Sequence, residues 1–117
     1  LAEEVAGNGI DINAIAPGVL DTRLTHQLLE NDPETVGAAL YDRVQELAGS
    51  SGDAMDKSAR LCAYLGSAES DGISGKLIAA NWDPWPDLAQ HKGEIMGSDI
   101  YTLRRIVPKD RGQDWGD

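Results

Sequence analysis

The sequence predicts an α/β fold that contains only part of a parallel sheet. Two short apolar segments, residues 10–16 and 76–80, have the character of strands, and each is followed by helical sequence. This alternation is typical of α/β proteins, whose parallel strands are covered on both faces. Because globular sheets usually contain about four to six strands, two strands need partners at their edges. We therefore expect self-association, in which the sheet edge of one copy pairs with another.

The first strand is predicted from residue type and from the signals that flank it. Residues 1–6 are good helix formers, and Gly7-Asn8-Gly9 then stops the pattern, so the chain is expected to open within a helix that has an upstream part. Isoleucine occupies three of the seven positions from 10 to 16, which favours a strand. Pro17 and Gly18 end it, because proline lacks the ladder N–H and glycine permits unusual backbone angles.

Three helices are predicted between the two strands. Residues 20–30 predict a loop that becomes a short helix. Asp32 and Pro33 then provide an N-cap and a first helical residue. One face of the helix that follows carries Val36, Leu40, Val44 and Leu47, and residues 49–52 end it.

The last helix before the second strand is predicted over residues 55–65, with Asp53 or a neighbour as its cap. Its apolar stripe comprises Met55, Ala59, Cys62 and Leu65. This pattern predicts Cys62 to be a small core residue.

The sequence changes character after residue 80, which divides the chain into residues 1–80 and a C-terminal extension, residues 81–117. A turn-rich segment with Trp82 and Trp85 is followed by a predicted helix over residues 87–96 and by a polar tail from residue 108. The last 17 residues hold four bases and three acids, whereas the first hundred carry a net charge of −11. We expect the two tryptophans to pack on the end of the sheet; the alternative is a ligand site, such as one for carbohydrate.

Composition excludes several classes of partner. Ten bases against twenty acids give a net charge of −10, which argues against nucleic acid, since phosphate contacts need clustered Lys and Arg. No apolar stretch approaches the length of a membrane span. Cys62 alone forms neither an internal disulfide nor a cysteine-based metal site, and the widely separated His26 and His91 predict no metal site either. The single thiol and the lack of a secretory signal favour a cytoplasmic location.

Two motifs resemble the short-chain dehydrogenase/reductase family. The first is Gly-Ile-Asp-Ile-Asn-Ala-Ile-Ala-Pro-Gly-Val-Leu-Asp-Thr at residues 9–22, where the family has Gly-Ile-x-Val-Asn-x-Ile-x-Pro-Gly followed by a threonine. The second is the helix end and the Gly-Ile-Ser-Gly-Lys entry to the last strand at residues 65–76, with Ser74 where threonine is more usual. The resemblance covers residues 1–80.

The resemblance implies the last two strands of a Rossmann-type, doubly wound sheet and a site for NAD or NADP. In this reading, Pro17 and Gly18 form the cofactor loop, backbone groups near Leu20 contact the nicotinamide carboxamide, and the Thr22 hydroxyl assists. Residues 24–48 would be the variable substrate lid, in which Leu24 and His26 are candidate substrate contacts. Residues 55–65 and 76–80 would lie at a subunit interface, so a homo-oligomer is implied.

The family's catalytic machinery is absent from this sequence. There is no glycine-rich phosphate turn, and none of the three tyrosines has a lysine four residues on. The catalytic serine and the Tyr-x-x-x-Lys pair would lie upstream of Leu1. We therefore expect this chain alone to bind no cofactor and to be inactive, as a fragment of a hydride-transfer enzyme whose substrate is an alcohol or a carbonyl. The alternative is a non-catalytic self-association module of the same ancestry.

Several candidate residues keep a second interpretation. Thr22 is either a cofactor contact or a local cap on the following helix. Arg104 is either part of a clamp on an anionic substrate or part of a basic tail that lies on an acidic body, and the second is favoured. His26 is expected on a solvated helix face, and Asp21 at the surface. Asn13 is expected to have a hydrogen-bonding role.

Overall fold

The computed structural model describes residues 1–20, 22–49 and 51–116, and it contains a two-stranded parallel sheet with five α-helices. The strands are β1 (Ala14–Ala16) and β2 (Leu77–Ala79), paired in the register Ala14 with Leu77 and Ala16 with Ala79. Between them lie α1 (Arg23–Leu29), α2 (Pro33–Val36), α3 (Ala38–Ala48) and α4 (Ser51–Leu65), and α5 (Lys92–Met96) follows β2. The mixed helix and parallel strand content is compatible with the predicted α/β class.

The region before β1 differs from the prediction. Residues 2–9 form successive turns instead of a helix end, and Gly7 and Gly9 adopt positive φ values of 83° and 71°. A six-residue segment lacks the length to nucleate a helix on its own. The regular strand is also shorter than residues 10–16, although pairing begins earlier, because Gly75 N–H donates to the Ile12 carbonyl at 2.7 Å.

Asn13 has the predicted hydrogen-bonding role. Its side-chain amide donates to the Ile73 carbonyl at 2.8 Å, and its side-chain oxygen accepts from Lys76 N–H at 3.1 Å. The residue thus holds the chain that enters β2 against the chain that enters β1, which fixes the register of the pair.

The predicted helix from Asp32 onward is divided in two. The Asp32 carboxylate accepts from Glu34 N–H at 3.1 Å, which confirms the cap. Gly37 then adopts a φ of 92°, outside the helical region, and separates α2 from α3. No residue of α1, α2 or α3 is fully buried, and Leu40 of the predicted apolar face is half exposed.

The buried face of α4 lies one residue away from the predicted stripe. Ala54, Ser58, Leu61 and Tyr64 are buried, whereas Met55, Ala59 and Cys62 are exposed. The prediction that Cys62 is a core residue is therefore wrong. The helix also starts at Ser51, so Asp53 lies in its first turn and is not its cap.

The core forms where α4, β2 and the C-terminal extension meet. Its buried members are Leu61, Tyr64, Ile73, Ile78, Ala80, Leu88 and Ile95. Trp85 packs against this cluster, with its ring centroid 5.8 Å from that of Tyr64 and its indole N–H donating to the Ala80 carbonyl at 3.0 Å. Trp85 thus packs at the end of the sheet as expected, whereas Trp82 is 80% exposed.

The extension folds over the outer edge of β2. The helix predicted over residues 87–96 is a 3-10 segment, Trp85–His91, followed by α5. At the edge, Leu77 N–H donates to the Tyr101 carbonyl at 2.8 Å, and Ala79 N–H donates to the Asp83 carboxylate at 2.6 Å. Tyr101 adopts a φ of 59°, a left-handed conformation that costs a non-glycine residue about 1 kcal/mol.

The opposite edge of the sheet is open. The backbone groups of Ala14 and Ala16 face β2, so those of Asn13 and Ile15 point away from it, and within the described residues they have no hydrogen-bond partner. Only one edge of this sheet is therefore available to another strand.

The whole chain is more open than a compact domain of its size. Its radius of gyration is 18.0 Å, whereas a compact 117-residue domain has about 13 Å. It exposes 8267 Å², whereas a folded monomer of this mass exposes about 6200 Å². Among the described residues, no helix is both long and apolar enough to span a bilayer.

Candidate functional site

A cavity of ≈ 330 Å³ lies between the loop that follows β1 and the helices α1 and α3. Its position is at the carboxyl end of β1, which is where open α/β sheets bind ligands. The cavity is lined by Gly18, Val19, Leu20, Thr22, Leu24, Thr25, Leu28 and Val44.

The start of the loop is fixed by contacts with two elements that the sequence analysis did not assign to the site. The Pro17 carbonyl accepts from the Ser58 hydroxyl of α4 at 3.3 Å. Gly18 has a φ of 81°, and a Cβ atom there would lie 2.7 Å from the Asn81 side-chain nitrogen. The loop therefore passes closely over the chain that leaves β2, and glycine is needed for its backbone conformation.

Thr22 is the N-cap of α1. Its hydroxyl oxygen accepts from Thr25 N–H at 3.4 Å and lies 3.3 Å from the Thr25 hydroxyl oxygen. Because the Thr25 hydroxyl donates to the Leu20 carbonyl at 2.6 Å, the proton between the two threonines comes from Thr22. The local cap is thus present, and a ligand that accepts the Thr22 proton would take it from the bond to Thr25.

The structure gathers four of the seven candidate residues around this cavity: Gly18, Leu20, Thr22 and Leu24. Pro17 adjoins the cavity through its bond to Ser58. His26 is exposed on α1 and does not line the cavity. Asp21 lies outside the described residues.

Arg104 is paired within the extension, apart from the cavity lining. Its guanidinium contacts Asp99 at 2.6 Å and Asp110 at 2.8 Å. Hydrogen bonding to Arg104, with Val107 N–H as a second donor, holds the pKa of Asp110 below its usual range. These partners are acids of the extension itself, a pairing that neither interpretation of the tail anticipated.

The three tyrosines serve the packing of the fold. Tyr41 donates to the Leu29 carbonyl at 3.2 Å, and the Tyr64 oxygen accepts from Ala89 N–H at 3.2 Å. Burial, with a further contribution from Asp83, raises the pKa of Tyr101. The shift of Tyr101 is opposite to the depressed pKa that a tyrosine acting as a catalytic acid near neutral pH requires.

A second cavity, of ≈ 620 Å³, lies at the amino ends of the strands and includes Lys76. The Lys76 ammonium is buried and donates to the Ser98 carbonyl at 3.1 Å and to the Thr102 hydroxyl at 2.9 Å. Both partners belong to the extension, so this lysine attaches the extension to the sheet. Within the described ranges, no group of three potential metal ligands is found.

Ser58 and Asn81 are the site residues that sequence reasoning missed. Ser58 lies on the face of α4 adjacent to the predicted stripe, and its helical spacing from Leu61 and Ala54 is the signal that could have indicated it. Asn81 lies two residues beyond the end of the second strand, and the carboxyl ends of parallel strands meet at one edge.

Comparison with known proteins gives one weak similarity. The chain is 29% identical over 85 residues to the uncharacterized oxidoreductase YmfI of Bacillus subtilis (strain 168), a match that covers 69% of this chain and 31% of that protein. The chain thus spans about a third of the relative's length. No family model matches the chain, and neither does any solved structure. The similarity supports a general relationship to oxidoreductases.

Proposed function

We propose that this chain is the C-terminal part of an NAD(P)-dependent oxidoreductase of the short-chain dehydrogenase/reductase type. The whole protein would transfer hydride between the nicotinamide and an alcohol or carbonyl substrate. The observation that carries the proposal is the cavity at the carboxyl end of β1, since Gly18, Leu20 and Thr22 line it together. The similarity to the uncharacterized oxidoreductase YmfI supports the oxidoreductase part of the proposal.

The groups around this cavity fit a carboxamide ligand. Gly18 lines the cavity and lets the loop pass closely over the Asn81 side chain. The Leu20 N–H has no partner among the described residues, the Leu20 carbonyl has a second lone pair, and the Thr22 hydroxyl can redirect its proton. A carboxamide needs both donors and acceptors in a plane, and these three groups offer both. A bound nicotinamide would supply the hydride acceptor or donor.

The chain itself provides binding and orientation. Ser58 and Asn81 fix the loop through the contacts described above, and Leu24, Leu28 and Val44 contribute apolar side chains to the lining. None of the described residues that line this cavity is an acid that could protonate a carbonyl oxygen. In line with the family resemblance, the proposal assigns proton transfer to the Tyr-x-x-x-Lys pair of the whole protein.

The test begins with the DNA sequence directly upstream of the Leu1 codon. An in-frame extension that encodes a glycine-rich turn and Tyr-x-x-x-Lys is expected. The whole protein should then oxidise NADH or NADPH in the presence of a panel of ketones. A stop codon directly upstream, or a whole protein without any nicotinamide-dependent turnover, would contradict the proposal.

A variant pair then tests the Thr22 contact in that protein. Thr22→Asp keeps an N-cap oxygen but has no proton to donate, and its charge repels a phosphate-bearing cofactor. The KM for the cofactor should rise about tenfold or more, with little change in melting temperature. Thr35→Asp, on the exposed face of α2, is the matched control and should leave the KM unchanged.

A second candidate function is self-association of this chain. Its support is the exposed area, which exceeds that of a compact monomer by about 2000 Å², the size of a substantial protein interface. The open edge of β1 supports it too. Sedimentation equilibrium of the 117-residue chain should show a dimer or a higher species, and a monodisperse monomer would count against it.

A further inference from the structure

Residues 99–116, here called the arm, form an ordered segment without a core of their own. Arg104 organises the arm by pairing with Asp99 and Asp110, and Val107 N–H also donates to Asp110 at 2.8 Å. Gln113 N–H donates to the Pro108 carbonyl at 3.0 Å, which folds the end of the arm back on itself. Beyond Tyr101, which packs against the core, the arm is held by these polar contacts.

The arm presents large apolar side chains to solvent. Leu103 is 83% exposed, Ile106 60% and Trp115 68%. Three such side chains on one short segment mark a surface for another protein, because a soluble monomer gains nothing from displaying them in a fixed arrangement. Preorganisation also lowers the entropy cost of binding.

The charge of this surface is positive. The arm holds four bases against three acids, a net charge of +1. Arg104 pairs with Asp99 and Asp110, and within the described residues Arg105 and Lys109 make no ion pair. The partner of the arm should therefore be acidic and should also carry exposed apolar groups.

The helices α1 to α3 have these two properties. Residues 22–49 contain five acids and two arginines. None of the helices' residues is fully buried, and Leu24 and Leu40 are 74% and 50% exposed. This segment, here called the lid, therefore matches the arm in charge and lacks a complete apolar contact of its own.

The arm is attached at the end of the sheet opposite to the lid of its own chain. Tyr101 and Thr102, near the start of the arm, are bound to Leu77 and Lys76 at the amino end of β2. The cavity and the lid follow the carboxyl end of β1, which is the opposite end of the two-stranded sheet.

We propose that the arm of one copy of this chain docks on the lid of a second copy, beside the cavity at the end of β1. Leu103, Ile106 and Trp115 cover the apolar side chains of the lid, and the cations of the arm face its carboxylates. The partner copy then completes one wall of the candidate site. The proposal rests on the self-association proposed above and is independent of the cofactor.

Cross-linking of isotopically mixed chains tests the geometry. Equal amounts of ¹⁴N- and ¹⁵N-labelled chain are mixed and treated with a carbodiimide, which joins lysine amines to carboxylates in direct contact. Lys109 is the one lysine of the arm, so mixed-isotope peptides that join Lys109 to Glu30, Glu34, Asp42 or Glu46 are expected. Peptides that join Lys109 only to carboxylates outside the lid would overturn the proposal.

Sedimentation equilibrium of matched variants tests the energetics. The pair Leu103→Ser and Ile106→Ser should raise the dimer dissociation constant about tenfold or more. Leu1→Ser with Trp82→Ser is the control, since these residues are equally exposed but outside the arm, and it should leave the constant unchanged. Arg105→Glu should weaken the dimer, and Glu46→Lys in the same chain should restore it in part.

The outcomes separate the two proposals. A wild-type dimer that dissociates in the arm variants supports the docking of the arm. A dimer that the arm variants leave intact overturns this docking and leaves self-association standing. A monomer at all concentrations overturns both. Circular dichroism spectra identical to wild type are expected for every variant, because each altered side chain is exposed.

Discussion

Substitution of Gly18 by alanine tests the backbone geometry on which the candidate cavity depends. Gly18 has a φ of 81°, and its added Cβ would lie 2.7 Å from the side-chain nitrogen of Asn81. The variant is predicted to be less stable than the wild type. Its effect has two sources, the left-handed backbone and the contact with Asn81.

The backbone is the larger of these. A residue with a Cβ atom pays about 1–2 kcal/mol in the left-handed region. The contact costs less, because the Asn81 amide is the end of a side chain that can rotate to an ordinary separation of 3.4 Å or more. We expect the free energy of unfolding to fall by about 1–2 kcal/mol in total.

Urea unfolding followed by tryptophan fluorescence measures this change. With a slope of about 2 kcal/mol per molar urea, the midpoint should fall by about 0.5–1 M. Gly52→Ala is the matched control, since Gly52 lies in α4 without a positive φ and an added Cβ would meet nothing within 4 Å. That control should raise the midpoint, because alanine is the better helix former.

A double-mutant cycle divides the effect. Combining Gly18→Ala with Asn81→Ala removes the contact and leaves the backbone conformation, so most of the destabilisation should persist. A Gly18→Ala chain as stable as the wild type would refute the argument, because it would show that the loop does not hold its left-handed conformation.

Three further predictions concern α4 and the arm. Leu61→Ala should lower the free energy of unfolding by about 2–5 kcal/mol, whereas Met55→Ala on the exposed face should change it by less than about 0.5 kcal/mol. Thermal denaturation measures both; equal losses of stability would indicate that the face with Met55 is buried as well. Cys62 should react with a thiol reagent in the folded chain as readily as in the unfolded one, and protection of the thiol would contradict its exposure. Because pairing with Arg104 lowers the folded pKa of Asp110, its stabilisation of the arm is fully present above about pH 4 and is lost as the pH falls through the folded value. The rates of amide hydrogen exchange in the arm should therefore differ between the wild type and Arg104→Met at pH 6. In strong acid the rates of the two proteins should become equal, and a difference that persists there would contradict the pairing of Arg104 with Asp110.

Local signals predicted the parts of the fold that local chemistry determines. Both strands and the cap at Asp32 follow from residue type and from the immediate neighbours, and the structure has each of them. The hydrogen-bonding role of Asn13, which the structure also has, was implied by the family resemblance. The gathering of Gly18, Leu20 and Thr22 also followed, because one loop carries all three.

Features that depend on tertiary contacts were missed. Two adjacent faces of α4 show helical spacing, so spacing alone does not tell which face is buried. The buried face includes the polar residue Ser58, whose hydroxyl donates to the Pro17 carbonyl of a distant loop. Similarly, the pairing of Arg104 with Asp99 and Asp110 joins residues of an irregular segment, for which no periodic pattern exists.

The closed outer edge of β2 limits the size of any assembly that forms through the sheet. A sheet with two free edges can pair with other chains at both edges and so grow into a fibre. Here Asp83 and Tyr101 occupy the donors along one side, and among the described residues only β1 remains to accept a neighbour. Two copies that joined through β1 would leave no further edge. The extension therefore closes one side of the sheet, so that edge pairing through β1 would end at two copies and would not continue into a fibre.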